Sequence, residues 1–194
     1  MIQIGILAVQ GAFIEHKHAL DKLNVKSFEI RQKRDLQTPM DGLILPGGES
    51  TTMGKLLKDL DIFDVIQDQI KKGLPVLGTC AGMILLANQL TNDEKEHFKT
   101  MDIAVERNAY GRQLGSFFTH AKFGGREIPM TFIRAPYIPS YGPNVEVLSI
   151  VDNHVVAAKQ GNQISTAFHP ELTDSTYVHE YFLDIVKTHK SKNQ

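Results

Sequence analysis

The chain holds a single cysteine, Cys80, set between Gly78 and Gly82 at the end of the apolar run Leu74-Pro75-Val76-Leu77-Gly78-Thr79. A cysteine acts as a nucleophile through its thiolate, so its surroundings decide whether it does chemistry or fills space. The run reads as a buried strand, Leu74 to Thr79, that turns at Cys80 and enters a helix near Ala81, running to about Leu90. G-x-C-x-G is the thiol counterpart of the nucleophile elbow, where small neighbours permit a strained turn that lifts the reactive atom out of the sheet. A helix N-terminus adds unpaired N–H groups and a dipole that favour the thiolate. The plainer alternative is a free cysteine packed as a small hydrophobe, the commoner fate of a lone cysteine.

A thiol needs a base, and His169-Pro170-Glu171 offers one directly after the apolar strand Gln163 to Phe168. Pro170 biases His169 to an extended conformation, and residues i and i+2 of an extended chain project to the same side. Glu171 can then fix the imidazole tautomer and stabilise the imidazolium. Of the eight histidines, only His169 combines a strand end with a carboxylate two residues away. A second informative turn is Pro46-Gly47-Gly48-Glu49-Ser50-Thr51-Thr52. A strand stopping at Pro-Gly-Gly before a helix capped by Ser50 or Thr51 leaves N–H groups able to hold an anion or a developing oxyanion. A plain tight turn is the alternative. A phosphate loop is excluded, because Gly54-Lys55 is followed by Leu56 and Glu49 stands where a glycine is required. His16 and His18 lie about 200° apart on a helix and make a poor metal pair.

The elements that position these residues alternate. Ile2–Val9, Val25–Ile30 and Asp41–Leu45 read as strands. Ala12–Leu23 has helical spacing, with His16 among its inward positions, and Lys55–Lys72 reads as a helix broken near Asp61. This is the pattern of an α/β fold: an open, mostly parallel three-layer sheet with helices on both faces, whose sites lie at the carboxyl ends of the strands. The cysteine and the glycine turn both fall on that edge. Residues 91–100 form a polar loop. Beyond it, Ile103–Arg107, Gln113–Lys122, Ile128–Arg134, Val145–Val151, Val155–Lys159 and Gln163–Phe168 read as short strands that add, antiparallel, to the sheet or its margin, hairpin by hairpin. A last helix spans about Ser175–His189.

A length of 194 residues fits a single domain, 1–194. Twenty-one basic and 22 acidic residues leave a formal charge of −1, with no basic stripe of the kind nucleic acid requires. No apolar run approaches a membrane span and no leader pattern opens the chain. One cysteine forms no internal disulfide, in keeping with a reducing, cytoplasmic location. There is no metal-ligating constellation.

The three motifs together, Gly78-Thr79-Cys80-Ala81-Gly82, Pro46-Gly47-Gly48-Glu49-Ser50 and His169-Pro170-Glu171, resemble the class I, triad-type glutamine amidotransferases. Gly5–Gly11, Leu45–Met53, Val105–Arg112, Phe132–Pro136 and Phe168–Thr173 resemble the glutaminase subunits of pyridoxal 5'-phosphate synthases over essentially the whole chain, with Gly47–Met53, Val105–Arg112 and Phe132–Pro136 narrowing the choice to them. The resemblance implies hydrolysis of L-glutamine to glutamate and ammonia by a Cys80–His169–Glu171 triad through a thioester. It further implies an oxyanion hole of backbone N–H groups at Gly47, Gly48 and Ala81, and glutamine contacts at Gly48, Glu49, Ser50, Arg107, Ile133 and Arg134. Ammonia would pass to a separate synthase subunit in a hetero-oligomer, with neither nucleic acid nor membrane as a partner. Pyridoxal phosphate would be a product of the complex, and no cofactor belongs to this chain. The resemblance also implies a weak glutaminase that its synthase activates, by a turn of the Gly47–Gly48 peptide. Two other readings stay open on the residues alone: a different cysteine hydrolase acting on peptides or thioesters, and a partner-binding subunit with a vestigial triad.

Overall fold

A computed structural model describes residues 1–109 and 115–193. The first half alternates as the sequence pattern requires: β1 (Gln3–Leu7), α1 (Phe13–Lys22), β2 (Lys26–Ile30), β3 (Gly42–Leu45), α2 (Ser50–Asp59), α3 (Phe63–Lys71) and β4 (Val76–Thr79). The break near Asp61 is real. Asp61 adopts a positive φ of 55°, which ends one helix and re-aims the chain for the next.

The second half comprises α4 (Ala81–Leu86), β5 (Ala87–Leu90), β6 (Met101–Glu106), β7 (Ser116–Phe123), β8 (Arg126–Ile133), β9 (Tyr137–Tyr141), β10 (Glu146–Val151), β11 (His154–Gln160), β12 (Gln163–Thr166) and α5 (Tyr177–Lys192). The main sheet runs β2-β1-β3-β4-β12-β11-β9-β6-β5, with β10 on β11, and β7–β8 form a separate antiparallel pair. The bonds from β2 through β1, β3 and β4 to β12 are all parallel. Each residue of β3 and β4 is buried, as expected for strands covered on both faces. On β3, a Cβ at Gly42 would meet Val186 and Phe182 of α5, and one at Gly82 of α4 would meet the Leu45 carbonyl, so two helices lean on one strand.

Two expectations need correction, and one strand is added to them. The helix after Cys80 ends at Leu86, and Ala87–Leu90 instead pairs in parallel with β6. Ala87 and Leu90 are both buried and three residues apart, a helical spacing, and pairing with β6 decides for the strand. The later strands are not all antiparallel additions: β12 inserts beside β4 in parallel, whereas β7–β8 form an antiparallel hairpin apart from the main sheet. Tyr137–Tyr141 is a strand despite Pro139, which sits where the register with β6 shifts, a position that spares the missing N–H. The start of the Gln113–Lys122 segment and the Tyr110–Arg112 end of the Val105–Arg112 motif lie outside the described residues.

Among the described residues no helix is long and apolar enough to cross a membrane.

Candidate active site

Three neighbouring parallel strands, β3, β4 and β12, end on one edge of the sheet, and each delivers one motif there. At the end of β4, Cys80 takes φ 51° and ψ −100° as the N-cap of α4, a conformation costly for any side chain with a Cβ. The neighbouring glycines explain how the turn is tolerated. A Cβ at Gly82 would lie 2.1 Å from the Leu45 carbonyl oxygen, and one at Gly78 would lie 2.8 Å from the Gly82 backbone. Only hydrogen at both positions lets α4 sit this close to β3 and β4. The Cys80 N–H donates to the Thr166 carbonyl at 2.7 Å, fastening the elbow to β12. Cys80 is buried, and its sulfur reaches the Ile133 carbonyl at 3.9 Å.

His169 follows β12 and is held from the side by β8, its N–H donating to the Thr131 carbonyl at 2.8 Å. Its Nδ1 lies 2.7 Å from Oε1 of Glu171. The pair forms by another route than an extended i, i+2 projection, because Pro170–Leu172 is a 3-10 turn that starts directly after His169 and swings the carboxylate back. Burial disfavours a charged imidazole, but hydrogen bonds to Cys80 and Glu171 and their negative charge outweigh it, and the His169 pKa is pushed up to about 10. Burial pushes the Glu171 carboxyl up, and attraction to His16 and the bond from His169 more than reverse this, leaving it below its usual value. The arrangement favours an imidazolium poised beside the sulfur.

The glycine turn closes the other side. A Cβ at Gly47 would stand 2.2 Å from the His169 ring, so the turn packs directly on the imidazole. The Gly47 carbonyl accepts the Ala12 N–H at 2.9 Å; the peptide is trans, so the Gly48 N–H points the opposite way. Ala81 is the first residue of α4, and its N–H has no intrahelical partner. Helix α2 is capped by Glu49 in place of Ser50 or Thr51: its carboxylate accepts the N–H groups of Thr51 at 3.1 Å and Thr52 at 2.6 Å. These bonds, that from Thr52 foremost, hold the Glu49 carboxyl below its ordinary range.

An open cleft of about 630 Å³ gathers Cys80, His169, Gly47, Gly48, Glu49 and Ser50 with Arg107, Ile133 and Arg134. Ala81 and Glu171 lie behind it. Arg107 is already engaged: Nη1 is 2.5 Å from Asp93, Nη2 is 3.5 Å from Glu49, and Asn92 clamps its backbone from both sides. Arg134 is exposed at the rim with φ 45°, its N–H bonded to Gly115 at 2.6 Å. Gln10 was not anticipated; its amide oxygen accepts the Glu49 N–H at 2.9 Å and braces the glycine turn. His16 was also missed, although its inward position on a helix was legible. It is fully buried against Glu171, Thr79 and His179.

The sequence and the fold have counterparts among known proteins. The family model for the SNO glutamine amidotransferase family matches residues 6–188. A protein of Streptococcus pneumoniae (strain CGSP14), named pyridoxal 5'-phosphate synthase subunit PdxT, is 56% identical over 190 residues, covering 96% of this chain and 98% of that one. A protein of Desulfitobacterium hafniense (strain DSM 10664 / DCB-2) with the same name is 52% identical over 191 residues, covering 98% and 96%. A solved structure described as a glutamine amidotransferase superposes with a TM-score of 0.90 at 40% identity, over 95% of this chain and 98% of its own. With the family model running through nearly the whole length and relatives more than half identical, the chain belongs to the SNO glutamine amidotransferase family.

Proposed function

We propose that the chain is the glutaminase subunit of a pyridoxal 5'-phosphate synthase, working in the cytoplasm as a single domain beside a separate synthase subunit. The observation that carries the chemistry is the convergence of a strained thiol, Cys80, and an imidazole, His169, in one cleft, with Glu171 paired to the imidazole from behind. In this reading the Cys80 sulfur attacks the amide carbon of glutamine. His169 carries the thiol proton and gives it to the departing ammonia, leaving a thioester. Water, deprotonated by the same imidazole, then releases glutamate. The tetrahedral oxyanion is held by N–H groups of Ala81 and of the Gly47–Gly48 turn, worth about 3 kcal/mol per donor.

A free amino acid brings both charges, and the cleft offers a match for each. Arg107 and Arg134 present forked donors to the carboxylate, and Glu49 can accept from the ammonium beside Gly48, Ser50 and the Ile133 backbone. The link between the Gly47 carbonyl and Ala12 supports a further part of the reading: an inward Gly48 N–H requires a peptide turn that the synthase subunit promotes.

The test is glutamate release from glutamine with and without the synthase subunit. Release that rises severalfold on adding the synthase is expected. Folded protein that releases none in either condition rejects the reading, and turnover of peptides or thioesters in its place selects the other hydrolase class.

A further inference from the structure

Behind Glu171, on the side away from the cleft, lies a chain of buried polar groups that the triad does not use. His16 of α1 and His179 of α5 are both fully buried, with His16 Nδ1 2.9 Å from His179 Nε2. On its other edge His16 Nε2 stands 3.1 Å from Thr79 Oγ1 and 3.4 Å from Oε2 of Glu171. Among the described residues no hydrogen bond of ordinary geometry reaches that oxygen, which His16 Nε2 faces only at ion-pair distance, and none reaches Nδ1 of His179.

These two orphan atoms fix the tautomers. If His16 carried its proton on Nδ1, His179 Nε2 would have to accept it. The His179 proton would then sit on Nδ1 as an unpaired buried N–H, and a bare His16 nitrogen would face the Glu171 carboxylate. Both are costly. With the protons on Nε2 of both rings, His179 donates to His16, and His16 donates toward Thr79 and Glu171. Only a lone pair on His179 is left over. Burial, before any neighbouring charge, disfavours the charged form of both rings: the His16 pKa is lowered, and that of His179 falls to about 3. Both therefore serve as neutral, oriented donors.

We infer that His16 is a positioning residue for the glutaminase reaction: its Nε2–H, oriented by His179, holds the second oxygen of Glu171 so that the first stays on His169. The inference rests on the glutaminase reading above. It accounts for the burial of a polar residue on the inward face of α1, where an apolar side chain would otherwise be expected.

The titratable groups that bear on the site are Cys80 from the elbow, His169 and Glu171 from the segment after β12, His16 and Glu15 from α1, and His179 from α5. His18, Lys22 and Asp174 line an outer cleft that also reaches Glu171. Without the His16 donor, Glu171 is free to shift. The His169 imidazolium then loses stabilisation, and its deprotonation moves to lower pH.

The experiment is a pH profile of kcat and KM for glutamine hydrolysis, with the synthase subunit present, for wild type, Cys80→Ala, Glu171→Gln, His16→Leu and His16→Gln. For His16→Leu the expected result is a fall in kcat of about tenfold or more, with KM within twofold and the alkaline limb displaced downward by about one pH unit. His16→Gln restores an N–H near the Nε2 position and should recover most of both. Unchanged kcat and profile per folded molecule in His16→Leu, or no recovery in His16→Gln, overturns the inference while leaving the glutaminase reading intact. An inactive wild type, or full activity in Cys80→Ala or Glu171→Gln, would instead overturn that reading. Should His16→Leu not fold, long-range proton–nitrogen correlation spectra of the wild type decide: Nε2–H on both His16 and His179 is expected, and Nδ1–H on His16 overturns the inference.

Discussion

At the scale of single residues, the thiol of Cys80 and the imidazole of His169 divide the work between bond formation and proton handling, so removing one should separate binding from turnover. Cys80→Ala deletes the sulfur but leaves the cleft walls and the Arg107 and Arg134 guanidiniums in place. Glutamate release should disappear, while calorimetry still finds glutamine binding within a few-fold of wild type; surviving turnover would show that the nucleophile lies elsewhere. Much of this residue chemistry is legible in the chain because it is local. Gly78, Cys80 and Gly82 fall within five residues, as do Pro46 to Ser50, and His169 is two positions from its carboxylate. The mode of that last contact was not legible, since nothing local shows that the chain leaves the extended form directly after His169 and enters a 3-10 turn. Nor was the role of His16, whose partners Thr79, Glu171 and His179 come from three distant segments.

At the scale of elements, the elbow is as much a packing device as a chemical one. Gly82 lets the first turn of α4 rest on the end of β3, and a methyl there would meet the Leu45 carbonyl, part of a strand buried on both faces and unable to retreat. Gly82→Ala should cost about 2 kcal/mol of stability, at the middle of the range for overpacking a dense interior. Urea midpoints check this, and an unchanged midpoint would mean that α4 shifts freely. The alternation of strand and helix up to Cys80 was readable because each element carries its own period and its own breaker. The order of the strands after it was not. The apolar ends of Ala87–Leu90 keep a helical spacing although the segment pairs with β6, and the place of β12 between β4 and β11 depends on residues far apart in sequence. The cap of α2 misled for a related reason: Glu49 reaches N–H groups that Ser50 and Thr51 were expected to satisfy, and it does so beside Arg107, which no local pattern brings close.

At the scale of the whole molecule, three buried histidines set opposite limits on stability. His169 binds its proton more tightly folded than unfolded, with a pKa of about 10 against 6.5; its contribution is complete below pH 6.5 and is lost as the pH rises toward 10. His16 and His179 refuse protons that the unfolded chain accepts, so they cost stability as the pH falls below 6.5. Glu171, held low, adds a loss in acid below about 4.5. Unfolding free energy should therefore peak near pH 6.5 and fall on both sides, by up to about 1.4 kcal/mol per pH unit for each proton involved. Urea titrations from pH 5 to 10 test this, with His169→Asn flattening the alkaline side; stability still climbing from pH 7 to 9.5 would contradict it. The insertion of β12 into the middle of the sheet also bears on how the molecule is made. The thiol sits on β4, but its base is about ninety residues further along, so on a ribosome adding about 5–20 residues per second the nucleophile emerges several seconds before its partner. Until the last strand slots in beside β4, the nascent chain carries a cysteine without its base. Its reactivity is withheld until the sheet is complete.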